Sequence, residues 1–451
     1  MVREFGALVI GSGSAGTNAA TVLRKGGLTV AVADERPFGG TCALRGCDPK
    51  KVLIAAVRVL DSASAYADRG VFDGAPRLDW AKLMQFKRTF TDPVPAKRLQ
   101  TYEDAGIAAL HGTTRFAGAQ ELDIDGDRVR AKHIVIATGA TELHVAEGDD
   151  LLLTSESFLE LEQMPKTLVF VGGGYIAFEL AHVAARAGAR VTILNDNDKA
   201  LHGFDPDIVE QLLKSTRNAG IDVRLETRIE RVQRTDSGIA LHAQTKTGTE
   251  VFKAENGVLA AGRVPDLDRL ALDAANIQRT KKGVKVNEHL QSVSNPNVYA
   301  AGDAGDGGGL PLTPVAGYEG EIAASNILRP GSRTPDFTGL ASMVYTIPPL
   351  GQAGLTEAQA REKHLEIDVH AGDMSDWFLT RHVGAKAAFY KVVVEKPAGR
   401  ILGATIFGPH AEEQLNVLTL AIREGLPARH VAETLFAYPT GSSDLEYLFG
   451  F

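Results

Sequence analysis

Cysteine is scarce in this chain, which has only Cys42 and Cys47 among its 451 residues. Two cysteines cannot form the disulfide framework that staples small secreted folds, and no cluster of His or Cys completes a zinc site around them. Because structural disulfides are uncommon in the cytosol, a cytosolic pair is more often catalytic or metal-binding.

Long hydrophobic runs and long basic runs are absent as well. No apolar stretch approaches the about 18 residues that span a bilayer, and the short run at residues 7–10 leads into a glycine-rich turn without a signal-peptide cleavage site. A net charge of −8 without a basic segment gives no support to a nucleic acid or an anionic membrane as partner. We therefore expect a cytoplasmic protein that binds neither a membrane nor a nucleic acid.

The clearest feature that is present is an internal repeat. Residues 5–34 read FGALVIGSGSAGTNAATVLRKGGLTVAVAD, and residues 167–196 read TLVFVGGGYIAFELAHVAARAGARVTILND. Each segment has an apolar strand, a glycine-rich turn, an alanine-rich amphipathic helix and a second apolar strand, which is the βαβ unit that binds a dinucleotide. Two such units predict two dinucleotides on one chain.

The positions within each turn have separate expected roles. The first glycine allows the tight turn, the second lets the backbone approach a pyrophosphate, and the third position, Gly16 or Ala177, lets helix and strand pack closely. The pyrophosphate is then expected at the positive helix N-terminus. The candidate cofactor-binding turns are Gly11, Gly13, Ser14, Ala15 and Gly16 in the first unit, and Gly172, Gly174, Tyr175 and Ile176 in the second.

The rest of the chain suggests further domains. A helical stretch is expected at about residues 50–110, and strand-like segments follow it up to residue 140. From about residue 336 the pattern changes to the strand-like segments FYKVVVEK and RILGATIFG and a helix at residues 411–425. These elements predict a C-terminal α+β domain with neither a nucleotide fingerprint nor a cysteine.

The two cysteines lie in the segment GGTCALRGCDPKK at residues 39–51, directly after the first βαβ unit. We expect them on the first turns of a helix, where a disulfide forms if the helix is locally distorted. The helix dipole at that end stabilises a thiolate and makes it reactive. A redox pair is the favoured interpretation, and two buried structural cysteines or a metal site are the alternatives.

The segment GGTC-x4-GC-x-P-K resembles the redox motif of the class I pyridine nucleotide–disulfide oxidoreductases, the group of glutathione reductase, dihydrolipoamide dehydrogenase and mercuric reductase. This resemblance implies an α/β fold with two Rossmann-like dinucleotide-binding domains and an α+β C-terminal dimerisation domain. It also implies FAD and NADH or NADPH as cofactors, a small-molecule substrate and a homodimer. The implied domains are FAD-binding at residues 1–150, NAD(P)-binding at 151–270, a return to the FAD domain at 271–335, and dimerisation at 336–451.

The resemblance also implies roles for individual residues. Cys47 is the sulfur that faces the flavin in a thiolate–flavin charge-transfer complex, and Cys42 is the interchange thiol that meets the substrate. Lys50 pairs with Glu179 near the reactive flavin nitrogen, and Tyr175 covers the nicotinamide pocket. The remaining implied cofactor contacts are Asp34, with Glu35 as the weaker candidate for the ribose of FAD, Gly40, Thr41, Thr138, Gly139, Gly262, Arg263, Gly302 and Asp303.

The choice between the two nicotinamide cofactors depends on the loop after the second strand of the second unit. NADP enzymes place arginines there to hold the 2′-phosphate. This chain has Asn195-Asp196-Asn197-Asp198 instead, and its carboxylates would repel a phosphate dianion. Asn195 or Asp196 is expected to accept the ribose hydroxyls, which favours NADH, while Lys199 or Arg190 leaves NADPH open.

One position departs from the pattern of the family. Members that reduce disulfides carry a catalytic acid–base His near the C-terminus, and Tyr438 stands at that position here. A phenol with a pKa near 10 is a poor base at neutral pH. Three hypotheses therefore remain for the last step: reduction of a small disulfide, reduction of a metal ion, quinone or oxygen, and a redox-sensing flavoprotein with a cysteine switch.

Overall fold

The computed structural model describes residues 2–450. Its α-helices are α1 Ser14–Lys25, α2 Gly40–Arg45, α3 Cys47–Ala67, α4 Trp80–Thr91, α5 Val94–Ala105, α6 Ser155–Phe158, α7 Tyr175–Arg186, α8 Pro206–Asn218, α9 Thr313–Leu328, α10 Glu357–Glu362, α11 Phe378–His382, α12 Ala411–Arg423 and α13 Ala428–Ala432. Short 3₁₀ helices occupy Asp149–Leu151, Asp268–Leu270, Leu272–Ala275, Gly302–Ala304 and Gly441–Phe449. Within residues 2–450, no helix is both long and apolar enough to cross a bilayer.

The strands complete the description. They are β1 Arg3–Ile10, β2 Val30–Asp34, β3 Ala108–His111, β4 Thr114–Phe116, β5 Glu121–Ile124, β6 Asp127–Ile136, β7 Ala140–Glu142, β8 Thr167–Val171, β9 Arg190–Leu194, β10 Asp222–Arg224, β11 Arg228–Thr235, β12 Gly238–Thr245, β13 Gly248–Ala254, β14 Asn256–Leu259, β15 Arg263–Pro265, β16 Arg279–Thr280, β17 Gly283–Val284, β18 Val298–Ala300, β19 Ala341–Val344, β20 Leu350–Gly354, β21 Ile367–Asp373, β22 Phe389–Glu395 and β23 Ile401–Phe407.

The chain forms two compact units. The first comprises the residues up to Lys51 together with Gln85–Leu143 and Gly262–Asp336, and the second comprises Val52–Met84, His144–Ala261 and the residues from Phe337 onward. Each unit contains one of the two βαβ segments, β1–α1–β2 in the first and β8–α7–β9 in the second.

The first unit is built on a seven-stranded sheet. Its path is β3-β2-β1-β6-β5-β4, with β18 also on β6, and the pairs that involve β1, β2, β3 and β18 are parallel. Side chains of β1 alternate between two separate cores: Leu8 and Ile10 enter one, while Ala7 and Val9 enter the other. Because both faces of the sheet are covered at this point, residues 7–10 of β1 are a continuous apolar run.

The second unit contains three sheets. A parallel sheet of order β10-β9-β8-β14 carries the second βαβ segment, and β11, β12 and β13 form an antiparallel meander. A five-stranded antiparallel sheet of order β19-β20-β23-β22-β21 lies in the C-terminal part. Helix α12 packs the apolar side chains of Leu415 and Leu418 into the core of that part. The predicted fold class, with two Rossmann-like domains and a C-terminal α+β domain, is confirmed.

Candidate active site

The first glycine-rich turn has a backbone that only glycine can adopt. Gly11 has a φ of +105°, and a Cβ on it would lie 2.2 Å from the carbonyl oxygen of Ala137. A Cβ on Gly16 would lie 1.9 Å from the carbonyl oxygen of Gly11. The close approach of β1, α1 and β6 at this turn therefore requires glycine at both positions.

Helix α1 begins at this turn, and its N-terminus has no side-chain cap among the described residues. Its N-cap is Gly13, and none of the described residues in its first turn is acidic. The first N–H groups of such a helix need acceptors, and its dipole favours an anion. This arrangement fits a pyrophosphate.

The acidic residues at the end of β2 are both engaged. The carboxylate of Asp34 accepts hydrogen bonds from the backbone N–H of Ser12 at 2.8 Å, the Ser12 hydroxyl at 2.6 Å and the backbone N–H of Arg36 at 2.9 Å. Glu35 instead forms an ion pair with Arg269, with one N–O distance of 2.9 Å. Asp34 therefore ties β2 to the glycine-rich turn, and two carboxylate oxygens have room for further donors. Its contact with the FAD ribose stays a prediction.

Other predicted FAD contacts lie on loops of the same unit. The Thr138 hydroxyl, just after β6, is buried and has no hydrogen-bond partner among the described residues. Gly139 and Gly302 have positive φ values of +73° and +66°, and burial raises the pKa of Asp303. A buried hydroxyl without a partner is costly unless a ligand satisfies it, so this loop also fits a bound cofactor.

A buried carboxyl group supports the Gly302 turn. Glu319 on α9 is 3% exposed, and its Oε2 accepts a hydrogen bond from the backbone N–H of Gly302 at 2.8 Å. Burial raises the pKa of Glu319 to about 7, although the hydrogen bond from Gly302 opposes that shift. The carboxyl group therefore titrates near neutral pH beside the predicted FAD contact Asp303.

The two cysteines are separated by a break between helices. Helix α2 ends at Arg45, Gly46 adopts φ −140° and ψ −110°, and α3 begins at Cys47. Cys42 thus lies in the first turn of α2 and Cys47 at the N-terminus of the 21-residue α3. Both are free thiols here, Cys42 half-buried and Cys47 exposed. The predicted distortion of the helix is therefore a complete interruption at Gly46.

The proton distribution between the two thiols is unequal. The pKa of Cys47 falls to about 5, because the Cys42 thiol donates a hydrogen bond to it, Thr313 adds another, and Lys50 and Lys51 are positively charged. The hydrogen bond to Cys47, and burial after it, raise the pKa of Cys42 well above its usual range. The dipole of α3 favours a negative charge on Cys47 as well. In the reduced pair, Cys47 is the thiolate and Cys42 keeps the proton.

Two residues beside the sulfurs were not predicted from the sequence. The hydroxyl of Thr313, the first residue of α9, lies 3.5 Å from Cys47 Sγ, and it donates when Cys47 is a thiolate. Asp48 Oδ1 lies 3.9 Å from Cys42 Sγ and is a second acceptor, beside Cys47, for the S–H of Cys42. Asp48 stands inside the redox motif, so its carboxylate was visible in the sequence, whereas Thr313 is 266 residues from Cys47 and gave no local signal.

The other predicted contacts of the first unit lie in the redox segment and at the start of β15. Gly40 has a φ of +72°, and a Cβ on it would lie 2.3 Å from the Cα of Gly13, so the redox segment passes close to the first glycine-rich turn. Thr41 is exposed between Gly40 and Cys42. Gly262 has a φ of +126°, and Arg263 on β15 forms an ion pair with Glu142 on β7 at 3.2 Å.

The second glycine-rich turn repeats the geometry of the first. A Cβ on Gly172, whose φ is +116°, would lie 2.3 Å from the carbonyl oxygen of Ala260, whereas a Cβ on Gly174 would meet open space. Helix α7 begins after Gly174, and none of the described side chains caps it. Tyr175, its first residue, is 40% exposed. This helix end fits a second pyrophosphate.

Glu179 and Lys50 lie in different units. Glu179 on α7 is 1% exposed, and its Oε1 accepts a hydrogen bond from the backbone N–H of Tyr345 at 2.8 Å. Lys50 on α3 is buried in the first unit. Their ion pair stays a prediction.

The two candidate ribose contacts in the loop after β9 differ in their exposure and in their hydrogen-bond partners. The buried side-chain amide of Asn195 donates to the carbonyl oxygens of Asn197 and Lys199, both at 3.0 Å, and so fixes the loop. Asp196 is exposed and accepts a hydrogen bond from the Asn197 side chain at 2.7 Å. Asp196 is therefore the more accessible of the two acceptors.

The C-terminal segment places Tyr438 at the surface of the second unit. Its side chain is 83% exposed. Burial and the nearby charge of Glu446 raise the pKa of Asp444 to about 6. The catalytic role of Tyr438 stays a prediction. Across residues 2–450, no group of three or more His, Cys, Asp and Glu side chains has the arrangement of a metal site.

Comparisons with known proteins cover nearly the whole chain. Residues 5–320 match the family described as pyridine nucleotide-disulphide oxidoreductase, and residues 340–448 match the dimerisation domain of the same family. The chain is 30% identical to glutathione reductase of Burkholderia cepacia over 97% of this chain and 96% of that protein. It is 30% identical to dihydrolipoyl dehydrogenase of Halobacterium salinarum, covering 96% and 93% of the two chains. It is 29% identical to mercuric reductase of Staphylococcus aureus, covering 98% and 81%.

Solved structures show the same similarity. The HOCl-induced flavoprotein disulfide reductase RclA from Escherichia coli superposes with a TM-score of 0.87 at 26% identity, covering 98% of this chain and 99% of that one. The Cu(II) complex of the same reductase superposes with a TM-score of 0.88 at 25% identity, covering 99% of both chains.

Proposed function

Because this chain belongs to the pyridine nucleotide-disulphide oxidoreductase family, we propose that it is a FAD-dependent enzyme that uses NAD(P)H to reduce its Cys42–Cys47 disulfide. The reduced pair then reduces a small disulfide or a related acceptor. The observation that carries this proposal is the helix break at Gly46, which brings the two thiols within hydrogen-bonding reach directly after the first βαβ unit. Members of the family are NAD(P)H-dependent oxidoreductases that act on disulfides.

The residues of the first unit that would hold FAD are the glycine-rich turn, Asp34, the hydroxyl of Thr138 and the turn at Gly302 and Asp303. Support comes from the uncapped N-terminus of α1 and from the unpartnered Thr138 hydroxyl. When bound, FAD supplies the two-electron carrier between a nicotinamide and a dithiol. The role of the protein's own residues is to hold Cys47 as a thiolate and Cys42 as a thiol.

We propose NADH as the preferred electron donor. The exposed carboxylate of Asp196 suits the ribose hydroxyls of NADH and would repel the 2′-phosphate of NADPH. The side-chain NH2 group of Asn195, the other candidate, donates to carbonyl oxygens of its own loop and so fixes that loop.

The family match supports a proposal for the quaternary structure, and the cysteine pair supports one for the location in the cell. Residues 340–448 match its dimerisation domain, so we propose a homodimer in which Tyr438 borders the substrate site of the partner subunit. A reactive dithiol is kept reduced in the cytoplasm, which supports a cytoplasmic location.

Three hypotheses remain for the last step, and reduction of a small disulfide is the one we favour. The RclA structures are described as a flavoprotein disulfide reductase, and the relatives include a glutathione reductase and a dihydrolipoyl dehydrogenase. A soft metal ion is the second candidate, because a mercuric reductase is among the relatives and one RclA structure is a Cu(II) complex. The HOCl-induced character of RclA supports the third candidate, a redox-sensing switch.

The test is a steady-state screen of the purified holoenzyme with NADH and NADPH against glutathione disulfide, lipoamide, Cu(II), Hg(II) and a quinone. Cys42→Ser should abolish reduction of disulfides and soft metals, while quinone reduction at the flavin survives. The matched variant Cys47→Ser should abolish the same activities and also the charge-transfer absorbance. Wild-type protein that reduces none of these acceptors beyond a slow leak to oxygen would contradict the enzymatic proposal and favour the switch.

A further inference from the structure

The carboxylate of Asp48 lies beside the thiol that meets the substrate. Asp48 is the second residue of α3, directly after Cys47, and its Oδ1 lies 3.9 Å from Cys42 Sγ. The single S–H proton of Cys42 therefore has two acceptors within reach, Cys47 Sγ and Asp48 Oδ1. The Asp48 side chain is exposed to solvent.

Cys42 needs a proton acceptor before it can act as a nucleophile. The thiolate is the reactive form of a cysteine, and the reduced pair keeps its proton on Cys42. The position that resembles the acid–base His of the family carries Tyr438, whose phenol is a poor base at neutral pH.

The charged and titratable groups around the pair leave one suitable acceptor. Lys50 and Lys51 are cations that donate, and the hydroxyl of Thr313 donates to Cys47. Cys47 accepts a hydrogen bond from Cys42, but its charge is needed in the second half of the exchange. The hydroxyl of Thr313 also hydrogen-bonds Cys42, but it is a neutral group and a far weaker base than a carboxylate. Besides Cys47, the carboxylate of Asp48 is the anionic acceptor in contact with Cys42 Sγ among the described residues.

We propose that Asp48 is a further catalytic residue, the proton acceptor and donor that serves Cys42 in place of the missing imidazole. This proposal rests on the proposed function, in which the reduced pair attacks a disulfide R–S–S–R′. It assigns an acid–base role to a carboxylate within the redox motif itself.

The exchange then balances in two steps. In the first, the Cys42 thiol gives its proton to Asp48 while its sulfur bonds to one substrate sulfur. The S–S bond breaks, its electron pair leaves on R′S⁻, and Asp48 returns the proton to give R′SH. In the second, the Cys47 thiolate attacks Cys42 Sγ, the mixed disulfide breaks, and RS⁻ takes a proton from water. The cysteine pair is oxidised to a disulfide, and the substrate is reduced to two thiols.

A carboxylate is a weaker base than a thiolate, which decides how this transfer proceeds. Proton transfer from Cys42 becomes favourable only as the new S–S bond forms, because the forming bond acidifies the thiol. A carboxylic acid is a stronger acid than an ordinary thiol, so it protonates the leaving thiolate readily. The side chain therefore acts best in protonating the leaving group.

Asp48→Asn is the test, because asparagine keeps the shape and removes the proton acceptor. We expect kcat with the disulfide to fall by about 100-fold, the lower end of the contribution of a positioned acid–base group. Reduction of a quinone by NADH should be unchanged. Asp48→Glu should restore part of the activity, and Asp68→Asn, which removes the same charge just beyond the other end of α3, should behave as wild type.

A second measurement is independent of the acceptor. Iodoacetamide reacts with Cys42 of the reduced enzyme as the thiolate forms, and peptide mass spectrometry reads modification at Cys42 alone. If Asp48 accepts the proton, Asp48→Asn slows this alkylation across neutral pH. If Asp48 were only a negative charge that holds the proton on Cys42, the variant would alkylate faster, and that result would overturn the proposal. Wild-type protein that reduces no disulfide would refute the proposed function. The alkylation rates would still test whether Asp48 accepts the proton of Cys42.

Discussion

The hydroxyl of Thr313 is expected to set part of the acidity of Cys47. It lies 3.5 Å from Cys47 Sγ and lowers the pKa of that thiol, which stands at about 5. A hydrogen bond to a charged group contributes roughly 1.5–3 kcal/mol, and one pKa unit corresponds to about 1.4 kcal/mol. Since a contact to sulfur at this distance is long, we take the lower limit. Thr313→Val should raise the pKa of Cys47 by about one unit.

The assay is the pH dependence of the charge-transfer absorbance in the reduced holoenzyme, which requires the Cys47 thiolate. Because the thiolate is the deprotonated form, the absorbance is present above the pKa of Cys47 and is lost as the pH falls through that pKa. The wild-type midpoint should lie near pH 5, and the Thr313→Val midpoint should lie higher. Thr313→Ser keeps the hydroxyl and is the matched control. Equal midpoints for the valine variant and the wild type would refute the role of this hydrogen bond.

Three further outcomes are expected. Burial raises the pKa of Glu319 to about 7 from an ordinary 4.5, so the folded protein loses stability as the pH rises through this interval. At pH 8, Glu319→Gln should therefore increase the free energy of unfolding by up to about 3 kcal/mol, which is measured as a higher thermal midpoint. The gain should vanish toward pH 5. Asp196→Arg should lower KM for NADPH relative to NADH in steady-state kinetics, and an unchanged ratio would refute the assignment of this loop. Tyr438→His should raise kcat with glutathione disulfide or lipoamide if the missing imidazole limits exchange, and no gain in that assay would count against it.

The repeated βαβ units were predictable because their signals are local. Apolar strands, glycines at fixed spacing and an amphipathic helix all fall within 30 residues, and the structure shows why Gly11 and Gly172 tolerate no side chain. The redox pair was predictable for the same reason. Its detailed geometry was less so, because the interruption at Gly46 depends on backbone angles that a helical pattern does not specify.

The residues that tune the pair were harder to predict. Thr313 reaches Cys47 through folding of distant segments, and no sequence spacing encodes that contact. Asp48 was visible inside the motif, but its significance depends on the distance to Cys42 Sγ. Asn195 illustrates another contact that spacing does not encode, since its side-chain NH2 group donates to the carbonyl groups of its own loop. Its acceptance of ribose hydroxyls stays a prediction.

The central claim is that electrons from a nicotinamide reach the Cys42–Cys47 pair. The most direct measurement is anaerobic titration of the oxidised holoenzyme with NADH, followed by alkylation and mass spectrometry of the peptide that contains both cysteines. We expect no label before NADH and two labels after it, together with charge-transfer absorbance. A flavin that is bleached by NADH while the two cysteines stay joined as a disulfide would contradict it.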